Sequence, residues 1–135
     1  MLLTKKEKIY NINMKNQKKE ERNMNVYNTA NKLAEELKNS EEYINFKMAK
    51  QYINLNPDLK EKIDNFEKIR YEEQIKLINT GKQEEEQLRK VQAVYEELIE
   101  IEEVKKYFDA ELKFNILLAD VNKIITESVK DVLIN

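Results

Sequence analysis

The chain contains no cysteine, no histidine and no tryptophan, and only one glycine and one proline in 135 residues. Average usage would supply roughly nine glycines and seven prolines at this length. Both residues punctuate structure, so few tight turns and few loops are expected. The missing side chains also exclude much chemistry. There is no imidazole base, no thiol nucleophile, no His or Cys metal ligand and no disulfide, and one glycine cannot build a phosphate-cradling loop. No apolar run approaches the ~20 residues of a membrane span. The start, Met1-Leu2-Leu3-Thr4-Lys5-Lys6, lacks a hydrophobic region of signal-peptide length. These absences lead us to expect a cytoplasmic, non-enzymatic protein with no cofactor, no bound metal or iron–sulfur cluster, and no direct membrane contact.

What is present is 41% hydrophobic and 37% charged residues, the mixture of amphipathic helices with solvated outer faces. The charge is unevenly placed. Residues 1–23 carry seven basic and three acidic groups, a net +4, whereas residues 24–135 carry 17 basic and 23 acidic groups, a net −6. An acidic body lacks the clustered Lys and Arg that phosphate contacts need, so nucleic acid is not an expected partner of residues 24–135. The segment 1–23 is expected to be a disordered basic leader or an upstream extension misassigned to the chain. Glu20-Glu21-Arg22-Asn23-Met24 reads as a translated ribosome-binding site ahead of a start at Met24, and amphipathic periodicity begins just after it. Residues 24–135 are expected to form one helical domain.

Five helices are predicted. The first covers about 25–38, with Val26, Ala30, Leu33, Ala34 and Leu37 on one stripe. The turn Asn39-Ser40 offers a cap to the second, about 41–55, which is apolar around most of its circumference and so predicts cover on more than one side. Asn56-Pro57-Asp58 is a helix start: cap, proline at the first helical position, acid in the first turn. The third helix runs from there to Thr80 and ends on Gly81, which supplies the left-handed residue. Glu84, Glu85 and Glu86 open the fourth, striped by Leu88, Val91, Val94, Tyr95, Leu98 and Ile101. The third and fourth are expected to make a long antiparallel hairpin. A long C-terminal helix follows from about 102 to 133. Its join to the fourth near Ile101-Glu102 has no Gly or Pro, so the two are read either as separate helices or as one bent helix.

Carboxylates are the only abundant catalytic candidates, and charge runs on long helices are ordinarily solvated faces. A di-metal carboxylate bundle would want Glu-x-x-His, which a chain without histidine cannot supply. Glu111 falls inside an apolar pattern one turn after Tyr107, and the pair is predicted to be a buried polar contact, since a buried carboxylate needs a partner. Tyr43, Tyr52, Tyr95 and Tyr107 sit at helical spacing among apolar residues, as core or interface tyrosines do. Tyr71, Ile75 and Ile78 form a second apolar face on helix three. That face is either packed within the chain or a candidate interface.

Several strings carry a family resemblance. They are Val26-Tyr27 with Ala30, Leu33 and Leu37; Ser40-Glu41-Glu42-Tyr43 with Lys47 and Ala49; Asn56-Pro57 with Leu59, Lys60 and Phe66; and Gln74 with Gly81-Lys82. Val91-Gln92 with Tyr95, Ala110-Glu111-Leu112 and Asp120-Val121-Asn122-Lys123-Ile124-Ile125 complete the set. In this order, over about residues 24–132, the chain resembles the YlbF/YmcA family of small helical bacterial regulators, most closely its YheA-like branch. The resemblance implies a self-associating all-α bundle that acts as a regulatory adaptor. It also implies a link to a complex that assists the endoribonuclease RNase Y in mRNA maturation and affects competence, sporulation and biofilm formation. Some members hold iron–sulfur clusters on cysteines, a feature that does not transfer to a cysteine-free chain.

The leading functional expectation is a cytosolic adaptor acting through helix–helix protein contacts, as a homodimer or higher homo-oligomer. A holdase-like protein shielding hydrophobic clients and an RNA-binding protein using the basic leader are the alternatives.

Overall fold

The computed structural model describes residues 2–134, without the side chain of Asn23. Met1 and Asn135, the outer limits of the two expected segments, lie outside the described residues. The chain is all-α and divides into two units, Met1–Ser40 and Glu41–Asn135.

The first unit is one helix, α1, Lys5–Lys38. Its start is 20 residues earlier than the periodicity predicts, and the segment expected to be a disordered leader is helical from Lys5 onward. Local chemistry explains the difference. The Thr4 side chain accepts from the Glu7 N–H at 3.2 Å while the Thr4 N–H donates to the Glu7 carboxylate at 2.9 Å, a capping box. The following Lys, Glu, Gln and Met residues are good helix formers, uninterrupted by Gly or Pro. Little of α1 is buried: Leu33 and Leu37 are half-covered, and described residues 2–22 are all exposed. Amphipathic periodicity finds helical stretches that bury a face, so it found 25–38 and missed the exposed stretch before it. Asn39 closes α1, its N–H donating to the Glu35 carbonyl at 3.0 Å, and the Ser40 hydroxyl donates to the Leu37 carbonyl at 2.6 Å.

The second unit holds α2 (Glu41–Asn54), α3 (Pro57–Thr80), α4 (Glu85–Leu98), α5 (Glu102–Ser128) and the single turn α6 (Lys130–Leu133). Asn56 caps α3 by accepting from the Leu59 N–H at 3.4 Å, with Pro57 in the first turn. Gly81 ends α3 at φ +67°, the left-handed conformation that costs an L side chain about 1 kcal/mol or more. α3 and α4 form the expected hairpin, joined across its middle by Phe66 and Tyr95, ring centroids 5.8 Å apart.

Helices α4 and α5 are separate. The chain leaves helical geometry at Ile99–Ile101, where Ile99 and Ile101 both pack on the core. Burial of those two isoleucines replaces the Gly or Pro that usually marks such an elbow. The long C-terminal helix also ends earlier than its pattern predicts: Val129 leaves the helix, with its N–H turned to the Thr126 carbonyl at 3.3 Å.

The core of this unit is small and aromatic. It comprises Ile53 of α2; Leu59, Ile63 and Phe66 of α3; Leu98 of α4; and Val104, Tyr107 and Phe108 of α5. Val104 is wholly buried. Phe108 stands edge-on to Phe66 at 5.6 Å and 5.5 Å from Tyr95, so the first turns of α5 bind both arms of the hairpin. On the other side Phe46 of α2 meets Tyr107 at 5.6 Å and Phe114 at 5.9 Å, and Tyr43 meets Phe114 at 5.7 Å. These contacts run α2 antiparallel to α5. Aromatic pairs of this geometry add about 0.5–1.5 kcal/mol each beyond their buried area.

Candidate functional site

Tyr107 and Glu111 stand one turn apart on α5; Tyr107 is buried, but the Glu111 side chain keeps 21% of its surface in solvent, so the pair is not the fully buried contact expected. The Tyr107 phenol is pushed up to about 12, first by burial, then by the Glu111 and Glu67 charges and by its hydrogen bond with Glu111. Arg70 of α3 lies 4.0 Å from the Glu111 carboxylate, pairs with Glu67, and stacks over the Phe66 ring at 5.6 Å from its centroid. The second carboxylate oxygen of Glu67, Oε1, is buried and accepts no hydrogen bond. Sequence reasoning found Tyr107 and Glu111 but missed Arg70 and Glu67. Their place beside Phe66 was readable only once α3 was known to lie against α5. This polar group ties two helices. Among the described residues no three carboxylates converge to form a metal-holding cluster.

The second predicted feature is an apolar face. Tyr71 and Ile78 are exposed and Ile75 is 37% exposed, on one line down α3. Ile124 and Ile125 of α5, Val129 between α5 and α6, and Val132 of α6 are also exposed. Of the four tyrosines read as core or interface, Tyr43, Tyr95 and Tyr107 join the aromatic network, whereas Tyr52 is 52% exposed.

Tyr52 belongs to a third surface, which the sequence did not single out. α2 buries Phe46, Ala49 and Ile53 toward the core but leaves Ile44, Met48 and Tyr52 exposed, with Leu55 just past its end. The i, i+4, i+8, i+11 spacing makes them one stripe. Beside it an open groove of about 800 Å³ runs between α2 and α5. Its apolar lining is Met48, Ala49, Tyr52 and Ala110; its charged lining is Glu41, Glu42, Glu103 and Asp109 with Lys106 and Lys113. The composition of helix 41–55 predicts cover on more than one side, but within this chain the stripe Ile44, Met48, Tyr52 and Leu55 is exposed.

The geometry therefore defines an all-α helical protein with a compact aromatic core and several apolar helix faces open to water. Among the described residues no helix is long and apolar enough to cross a membrane. Comparison with known proteins narrows the class. Residues 26–130 match the family described as control of competence regulator ComK, YlbF/YmcA, and the chain belongs to that family. A UPF0342 protein of Caldicellulosiruptor bescii is 31% identical over 106 residues, covering 78% of this chain and 89% of the relative. One of Symbiobacterium thermophilum is 34% identical over 104 residues, 77% of this chain and 93% of the relative. One of Alkalihalophilus pseudofirmus is 30% identical over 108 residues, 80% and 92%.

Proposed function

We propose that the chain is a non-catalytic cytoplasmic adaptor that regulates through helix–helix contacts with other proteins. The observation that carries this reading is membership, over residues 26–130, of a family described by its control of a competence regulator. The open apolar faces on α2, α3 and α5 support it, because surfaces of this kind mark protein contact sites. Arg70 pairs with Glu67 and lies 4.0 Å from Glu111, so the polar group around Tyr107 reads as a tie between α3 and α5. The family's link to RNase Y makes an RNase Y-associated complex the first partner to seek.

Self-association is part of the same proposal. α3, with 24 residues, spans about 36 Å and α5, with 27, about 40 Å, whereas α2 has only 14. The long helices thus outrun α2, and Tyr71, Ile75 and Ile78 on α3 are the candidate interface, with a C₂ dimer the simplest closed form.

The test is affinity purification of the endogenous protein with mass spectrometry of what accompanies it. A few defined partners, with RNase Y or its associated proteins among them, are the expected result. A broad population of unfolded clients would replace the adaptor with a holdase.

A further inference from the structure

We infer that the groove between α2 and α5 is a docking site for one basic amphipathic helix, about three turns long, from a partner protein; this deepens the adaptor reading and rests on it.

Glu41, Asn45, Met48 and Tyr52 follow one another at i, i+4, i+7 and i+11 along α2. Glu103, Lys106, Ala110 and Lys113 follow at i, i+3, i+7 and i+10 along α5. Each set is a ridge on one face of its helix, and the two helices are antiparallel. Two such ridges leave a trough whose natural occupant is a third helix. The trough runs from Glu41 to Tyr52 on α2, eleven helical steps or roughly 16 Å, which is three turns. Ala49 and Ala110 are half-buried and small, so a backbone can approach between them. Met48 adapts to varied shapes and Tyr52 offers a rigid aromatic anchor, and both are exposed.

Charge selects the occupant. Glu41, Glu42, Glu103 and Asp109 line the groove, and none of the four takes part in an ion pair among the described residues. Lys106 is engaged by Glu102 at 3.4 Å, and among the described residues Lys113 is the other cation lining the groove. Glu41 and Glu42 stand at the N-terminal end of α2, where antiparallel α5 brings Lys113, and Glu103 stands at the Tyr52 end. A helix with Leu-like residues along one face and Lys or Arg flanking them complements the apolar lining and the surplus of carboxylates. A polyanion such as nucleic acid is repelled by the same carboxylates.

The probe is a fluorescent, amidated 15-residue peptide with leucines at i, i+3, i+4, i+7 and i+11 and lysines and arginines beside them. Its control carries glutamates in place of the basic residues. Anisotropy with the full chain is expected to show saturable binding of the basic peptide that weakens as salt is raised, and binding of the glutamate peptide at least about tenfold weaker. Met48→Glu is expected to abolish binding while leaving the urea midpoint unchanged, since the side chain is exposed. The double variant Glu41→Lys, Glu42→Lys is expected to weaken binding about tenfold and provides a second route should Met48→Glu fold poorly. Equal binding of both peptides, or full affinity in the variants, overturns the inference. So does sedimentation showing that Met48→Glu dissociates a homo-oligomer, because the occupant would then be a second copy. Repeating the affinity purification with Met48→Glu separates the two readings. Partners retained by the variant refute the groove and keep the adaptor, whereas a wild-type chain without defined partners refutes the adaptor while the peptide result stands or falls alone.

Discussion

Arg70 of α3 and Glu111 of α5 are 4.0 Å apart across the helix interface, with the guanidinium also seated over Phe66. One side chain thus joins the polar group to the aromatic core. Arg70 is about half exposed, so its charge is screened, and exposed pairs are worth about 0.2–1 kcal/mol. A double-mutant cycle of Arg70→Ala with Glu111→Ala should return a coupling below about 1 kcal/mol. A coupling of several kcal/mol would mean that the pair is more desolvated than its exposure indicates.

Tyr107 predicts an alkaline loss of stability. Its phenol is raised from 10.0 to about 12 in the folded chain, with burial the largest cause and the Glu111 and Glu67 charges next. Below pH 10 both folded and unfolded states hold the proton. Between pH 10 and about 12 the unfolded chain releases it and the folded chain does not, so stability falls as pH rises through that window. Urea midpoints measured across it should decline in the wild type. Tyr107→Phe should remove this component of the decline, at a cost of about 1 kcal/mol at neutral pH for the lost hydrogen bond.

Phe108 is the joint between the hairpin and α5, in contact with the Phe66, Tyr95 and Tyr107 rings. Phe108→Ala should cost about 3–5 kcal/mol. Ile124→Ala, at an exposed position on the same helix, should change stability by no more than about 0.5 kcal/mol in the isolated chain. Chemical denaturation of the two variants side by side checks the ranking. A large loss from Ile124→Ala would show that the face is already covered in solution.

Gly81 isolates a backbone effect. A Cβ added there meets nothing within 4 Å, so there is no steric clash with neighbours. The φ of +67° alone penalises an L residue. Gly81→Ala should therefore lose about 1 kcal/mol, and Gly81→Asn less, because asparagine tolerates the left-handed region.

The helix ends carrying explicit chemistry were legible in the sequence: Asn56-Pro57 and Gly81 are where capping and left-handed geometry require them. So was the pairing of Tyr107 with Glu111, which depends only on one helical turn. What escaped depends on contacts remote in sequence or on the absence of burial. The elbow at Ile99–Ile101 is held by two isoleucines packing on the core, with no turn residue to announce it. The start of α1 at Lys5 rests on a capping box formed by Thr4 and Glu7, in a stretch without an apolar stripe. Arg70 and Glu67 looked like ordinary surface charges until α3 met α5. The stripe Tyr71, Ile75 and Ile78 could be read from helical spacing, whereas its exposure could not, because that depends on whether another helix packs over it. The groove beside Tyr52 required the antiparallel register of α2 and α5.

The final prediction concerns that α3 face. Tyr71, Ile75 and Ile78 lie along one line, and burying a large aliphatic side chain is worth about 1.5–3 kcal/mol, so a shared face of this kind favours pairing. Sedimentation equilibrium over a concentration series should find a dimer. Ile75→Asp places a carboxylate at the middle of the stripe, where desolvating it would cost more than the neighbouring contacts return. The variant should sediment as a monomer at concentrations where the wild type is dimeric, with an unchanged far-UV helical signal. A wild-type monomer at every concentration rejects self-association. A dimer unaffected by Ile75→Asp keeps the dimer but moves its interface off α3, and Ile125→Asp then asks whether the exposed half of α5 holds it instead.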